Sequence, residues 1–297
     1  DTDNAMQDLL KPLMATPVLF WPALAFVSLC VGSFLNVVIL RLPKMMEQAW
    51  RRECEALQGN TEGEATTETT LGLATPRSHC PGCGATIGAL DNIPVISYLL
   101  LRGRCRQCGT GISVRYPIIE ALTAVLSIIT VLVLGISVDS LIALLLVWPL
   151  IALTVIDLDT QLLPDSITLP LLWLGLIVNA TGGFVSLEDA FWGAVAGYMS
   201  LWTIYQLFRV LTGKEGMGYG DFKLLAALGA WLGWAMLPAI VLLSSLVGAV
   251  TGIAMMVFRQ HDRNIPIPFG PYLAAAGLLC LWWGPEIQAL WLRWLGA

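Results

Sequence analysis

The sequence predicts an all-α polytopic membrane protein of about eight transmembrane helices, with a small cysteine-bearing insert after the first. Three observations carry this. Of 297 residues 57% are hydrophobic and only 12% charged, against about 45–50% and about 25% in soluble domains. Apolar runs of spanning length recur along the chain, and a bilayer requires about 20 apolar residues per helix. The apolar runs spare only one segment near the start, residues 41–117.

The apolar stretches run over residues 17–40, 118–138, 141–156, 167–180, 190–210, 222–237, 239–258 and 271–290. The third, fourth and sixth are short for a full crossing and must draw on flanking polar residues or a locally thin bilayer. Residues 1–15 carry Asp1, Asp3, Asp8 and Lys11, the wrong charge for a signal-peptide start, so 17–40 reads as a retained first span. Placing 41–117 in the cytoplasm puts every Lys and Arg except Lys11 and Arg293 on that side or at its boundary, as the positive-inside bias requires. Residues 1–16 are then non-cytoplasmic, and 118–297 form the membrane core. There is no basic stripe interleaved with aromatics, which argues against nucleic acid as a partner.

The insert divides in two. Residues 58–75, rich in Thr, Glu and Gly, read as a loop. Beyond them come Cys80-Pro-Gly-Cys83-Gly and Cys105-Arg-Gln-Cys108-Gly. Each pair places two sulfurs on one tight turn, and four thiolates suit a closed structural zinc site. The 21-residue gap between the pairs slightly exceeds the usual spacing. Disulfides and a redox dithiol are the competing readings; the first conflicts with a reducing compartment, the second with the duplicated motif. Cys30 and Cys280 read as packing residues, Cys54 as a lone thiol.

Acids at the ends of apolar spans are costly and are functional candidates. The third span ends in Val-Ile-Asp157-Leu-Asp159-Thr-Gln-Leu-Leu-Pro-Asp165, and the turn before the sixth reads Gly216-Met-Gly-Tyr-Gly-Asp221-Phe-Lys223. Both clusters fall at the same membrane edge in the deduced topology. Two facing aspartates meet the requirements of acid–base peptide hydrolysis. Their repulsion holds one proton on the pair. The ionised partner takes a proton from the attacking water, and the protonated one polarises the carbonyl. Glycines 216, 218 and 220 leave Asp221 approachable by an extended peptide. The plainer readings are that Asp165 caps the fourth span, Asp159 is a solvated turn residue, and Asp221 pairs with Lys223. For Asp157 they are charge pairing or an ion pathway.

These residues together resemble the type IV prepilin leader peptidases, the bacterial GxGD aspartyl proteases. The resemblance runs through Gly32-Ser-Phe-Leu-Asn36 and Arg41-Leu-Pro43, the two cysteine pairs, and Arg115-Tyr-Pro-Ile-Ile-Glu120. It continues through Ile156-Asp157, Pro164-Asp165, Gly213–Lys223 and Ile267-Pro-Phe-Gly-Pro271. It implies catalytic roles for Asp157 and Asp221 and prepilin or pseudopilin substrates cut after a glycine at the cytoplasmic face of the bacterial inner membrane. It also implies N-methylation of the new amino terminus, usually phenylalanine, by S-adenosylmethionine. Zinc on Cys80, Cys83, Cys105 and Cys108 is expected to support the insert. Glu120, just inside the second span, is the acid expected to orient the amine or the methyl donor, with an arginine pair as its competing role. The donor itself is expected between the insert and the ends of the spans. Three alternatives stand beside this: a transporter or channel with carboxylate ion sites, a peptidase without methyltransferase activity, or a non-enzymatic assembly factor docking through the knuckle.

Overall fold

The computed structural model describes residues 16–57, 71–88, 90–214, 217–259 and 268–295. Residues 1–15, most of the 58–75 loop and Gly216 lie outside them. The described residues are predominantly helical, and their only extended pairings are two isolated bridges. All eight apolar stretches fall on helices. Among the described residues, five helices have the length and apolarity to cross a bilayer: Pro17–Leu57, Arg115–Leu134, Val138–Thr160, Trp234–Met255 and Gly270–Leu290. The chain forms two compact units, one of residues 1–132 with 136–138, the other of 133–135 with 139–297.

In the first unit α1 (Pro17–Leu57) runs unbroken well past residue 40. The expected start of the insert at Arg41 is therefore helical. Residues 44–57 (KMMEQAWRRECEAL) are nearly all good helix formers, so the helix continues after its apolar stretch ends. Arg41 does not open a loop but fastens one. Its guanidinium donates to the carbonyls of Gly72 (2.9 Å), Leu73 (3.3 Å) and Pro76 (2.7 Å). The short α2 (Ile96–Leu100) precedes α3 (Arg115–Leu134). The two family-like motifs Gly32–Asn36 and Arg115–Glu120 meet here. A Cβ on Gly32 would stand 2.7 Å from the Glu120 Cα, and Asn36 Nδ2 donates to the Tyr116 carbonyl at 3.1 Å. Within α3, Thr123, Ser127 and Thr130 return their hydroxyls to the carbonyls four residues back at 2.7–2.8 Å. Polar side chains are thereby satisfied inside an apolar helix.

The second unit holds α4 (Val138–Thr160), α5 (Asp165–Ala180), α6 (Leu187–Thr212), α7 (Tyr219–Leu232), α8 (Leu237–Arg259) and α9 (Gly270–Leu295). Its centre is α7. At 14 residues this helix is only about 21 Å long, yet Leu224–Leu232 is buried throughout. Such enclosure requires close helix approach, and small residues supply it. Gly193 of α6 meets Gly229 of α7 backbone to backbone, and a Cβ on Gly175 of α5 would lie 2.5 Å from the Trp231 ring. Trp231 Nε1 donates to the Leu171 carbonyl at 2.9 Å. Asn179 is buried and fully engaged. Its amide donates to the Ala230 and Trp231 carbonyls, and its oxygen accepts from Phe184 and Val185. A short apolar helix held this way needs no lipid contact of its own.

Candidate active site and metal knuckle

The cysteine pairs build the same turn twice. Cys80 N–H donates to Ala85 O (2.9 Å) and Gly84 N–H to Cys80 O (2.9 Å). In the second copy Cys105 N–H donates to Thr110 O (2.8 Å) and Gly109 N–H to Cys105 O (3.0 Å). Bridges His79–Thr86 and Arg104–Gly111 close each turn. Gly84 and Gly109 adopt φ of 72° and 70°, the left-handed region where a side chain is penalised. All seven cysteines are free thiols. Those of Cys80, Cys83, Cys105 and Cys108 lie within 4.8 Å of one another, with Cys80 and Cys108 Sγ 3.7 Å apart. Four sulfurs about 2.3 Å from a tetrahedral zinc stand about 3.8 Å from each other, so the four cysteines fit a metal ion such as zinc. Thr110, whose hydroxyl lies 3.1 Å from Cys108 Sγ, pulls the Cys108 thiol down to about 6, toward the thiolate that ligates metal.

In the second unit Asp157 occupies the last turn of α4 and Asp221 the first turn of α7. They are 4% and 7% exposed, respectively, and Leu163 packs both on Gly220, next to Asp221, and on Gly270, which is bonded to Asp157. The fold thus brings together two carboxylates 64 residues apart in sequence. Asp157 Oδ2 accepts the Gly270 N–H at 3.0 Å. Asp221 Oδ1 is buried and has no hydrogen-bond partner among the described residues. An oxygen so placed is costly, and a proton held between the two acids, or a substrate group, would relieve that cost. Asp159 is exposed, two residues beyond the pair.

The turn between α4 and α5 touches the starts of α7 and α9. Leu163 fills the space over two glycines. A Cβ on Gly220 would lie 2.7 Å from Leu163 Cβ, and one on Gly270 would lie 3.2 Å from Leu163 Cδ2. Asp165 is the first residue of α5, and Pro164, not Asp165, holds the cap position. Asp165 takes both oxygens to Lys223 Nζ, at 2.6 and 2.7 Å. The expected helix cap is thus an ion pair, and Lys223 pairs with Asp165, not Asp221. Phe222, fully buried, anchors the start of α7 among Tyr198, Tyr205 and Tyr219, with ring centroids 5.6–5.9 Å away. Reversing one charge, Lys223→Glu, is expected to slow catalysis on the order of tenfold by displacing Asp221. The double reversal with Asp165→Lys should recover most of it, as measured by single-turnover cleavage.

Glu120 is buried in the first unit. Its Oε2 accepts the Val95 N–H at 2.8 Å. Sequence reading missed the Gly270 N–H, Leu163 and the Asp165–Lys223 pair. The first lay inside the Ile267–Pro271 motif without a stated role.

Comparison with known proteins agrees with this geometry. Residues 26–134 match the bacterial peptidase A24 N-terminal domain, and residues 144–253 match the type IV leader peptidase family. A prepilin leader peptidase/N-methyltransferase of Aeromonas hydrophila is 55% identical over 284 residues, covering 96% of this chain and 98% of that protein. A protein of the same name from Pseudomonas aeruginosa is 51% identical over 289 residues, 97% of this chain and 99% of that one. The corresponding Legionella pneumophila protein is 47% identical over 260 residues, 88% and 90% of the two chains. No solved structure matches the chain. With two domain models in series and half its residues shared over nearly its full length, the chain belongs to the type IV leader peptidase family.

Proposed function

We propose that this protein is a bacterial inner-membrane aspartic endopeptidase that removes the leaders of type IV prepilins and pseudopilins at the cytoplasmic face, and also N-methylates the products. One observation carries the peptidase reading: two buried carboxylates on the ends of different helices, linked through Leu163, which packs on Gly220 beside Asp221 and on Gly270, whose N–H Asp157 accepts. Family membership supports it. One of Asp157 and Asp221 is ionised and accepts a proton from water as it attacks the scissile carbonyl. The other donates its proton to the carbonyl oxygen and takes it back as the intermediate collapses. The amine leaves with the proton drawn from water. Gly270 N–H, bonded to Asp157, fixes that carboxylate's orientation.

Methylation rests on the family and on the relatives' names alone. When bound, S-adenosylmethionine would supply an electrophilic methyl group to the amine freed by cleavage, leaving as S-adenosylhomocysteine while the amine loses a proton. Purified protein with a prepilin and mass spectrometry of the product, with and without S-adenosylmethionine, tests both halves. An intact substrate sinks the peptidase reading, and a cleaved but never methylated product sinks the second. A transporter would leave the substrate intact.

Cys80, Cys83, Cys105 and Cys108 would hold a structural zinc ion that ties the two turns of the knuckle together. Serine at Cys83 is expected to abolish stoichiometric zinc in elemental analysis and to make 71–114 protease-sensitive. The two acids belong to the other unit, so cleavage should survive. Retained zinc in that variant would exclude the four-cysteine site.

A further inference from the structure

We propose that the insert lies on the bilayer through α2 and the turn before it, with Leu90, Ile96, Leu99 and Leu100 among the lipids and Arg102 and Arg104 on anionic headgroups. The starting point is a set of apolar side chains with no place in a soluble module. Leu90, Leu99 and Leu100 are 77%, 68% and 78% exposed. Ile96, Leu99 and Leu100 stand at i, i+3 and i+4, which puts them on one face of a helix. Contiguous exposed apolar groups of this kind mark an interaction surface.

The Glu120 hydrogen bond says what covers them. Glu120 lies five residues inside α3, about 7.5 Å along its axis from Arg115. The headgroup layer on each side of a bilayer is of similar depth, about 5–8 Å. Because Glu120 Oε2 accepts the Val95 N–H, residue 95 is tied beside the second turn of a spanning helix. The apolar face of α2 begins at the next residue. It therefore sits at the level where headgroups give way to acyl chains. Arg102 and Arg104, both reached by solvent, follow immediately. Guanidinium groups beside an inserted apolar face complement anionic lipid phosphates. Among the described residues, the knuckle turns carry no comparable exposed apolar cluster, which gives the module one lipid-facing side. On this geometry the buried glutamate acts as the pin that sets the depth of the insert.

The test is photo-crosslinking of the full-length protein in vesicles of phosphatidylethanolamine and phosphatidylglycerol. p-Benzoylphenylalanine replaces Leu100 in one sample and the exposed Gln107 in another. Lipid adducts are expected at position 100 and not at 107. Replacing phosphatidylglycerol with phosphatidylcholine should lower the yield at 100, and Arg102→Gln with Arg104→Gln should remove that lipid dependence. Glu120→Ala should lose the adduct. Glu120→Gln, which keeps an acceptor oxygen for Val95, should retain it. Zinc content measured alongside shows that each variant keeps its knuckle. Adducts at 100 to the chain itself or to a second protein, or equal lipid labelling at 107, would overturn the proposal. These readouts do not depend on proteolysis.

Discussion

Asp157→Asn and Asp221→Asn are each expected to lower cleavage of a prepilin by on the order of 10²–10⁴, with protein yield and zinc content unchanged. An amide matches the carboxylate in shape but can neither accept the water's proton nor share one. In the first variant Gly270 N–H can still donate to the amide oxygen, through the bond that Asp157 now accepts, so the loss is chemical and not structural. The double variant should be scarcely slower than either single one, because groups acting on one proton are not additive. Asp159→Asn, at an exposed position, should cost little. A wild-type rate for either of the first two variants in a single-turnover assay would remove the dyad from the mechanism.

The second large effect comes from a residue with no side chain. Gly270→Ala is expected to cost on the order of 10² in kcat, because a misplacement of about 1 Å is enough. A Cβ there would stand 2.6 Å from Asp157 Oδ2 and 3.2 Å from Leu163 Cδ2. The carboxylate must then move from the N–H that holds it. Gly220→Ala should behave similarly through Leu163 Cβ, 2.7 Å away. The control is the other visible glycine of the motif. Gly218 has an ordinary φ of −77°, and a Cβ on it meets only Asp221 Oδ2 at 3.8 Å. Gly218→Ala should therefore remain active. Equal losses at 218 and 270 would show that the glycines serve the approach of the substrate and not the placement of the acids.

Much of this molecule is legible without coordinates. Composition alone separates a bilayer protein from a soluble one, because hydrocarbon tolerates only helices with apolar surfaces. Spacing alone gives the knuckle, since a pair of cysteines two residues apart followed by glycine is a local turn, and both copies form it. The two aspartates are legible because an acid beside an apolar run has few inexpensive explanations.

What the sequence leaves open depends on contacts between residues far apart in it. Whether α7 crosses a membrane cannot be read from its apolarity, which a core helix shares; its enclosure by α5 and α6 through Gly175 and Gly193 settles that it is a core element. Asp165 looks like a helix cap because capping is local, whereas Lys223 is 58 residues away. Glu120 invites a chemical role from its sequence, and its bond to the Val95 N–H appears only when the chain packs. The sequence by itself determined the solvent, the turns and the candidate acids, all properties of short segments. Only the tertiary structure decided which backbone amide holds Asp157, which side chain packs over Gly220 and Gly270, and which backbone amide Glu120 accepts. Those are matters of ångströms between residues that the chain keeps 25 to 113 positions apart.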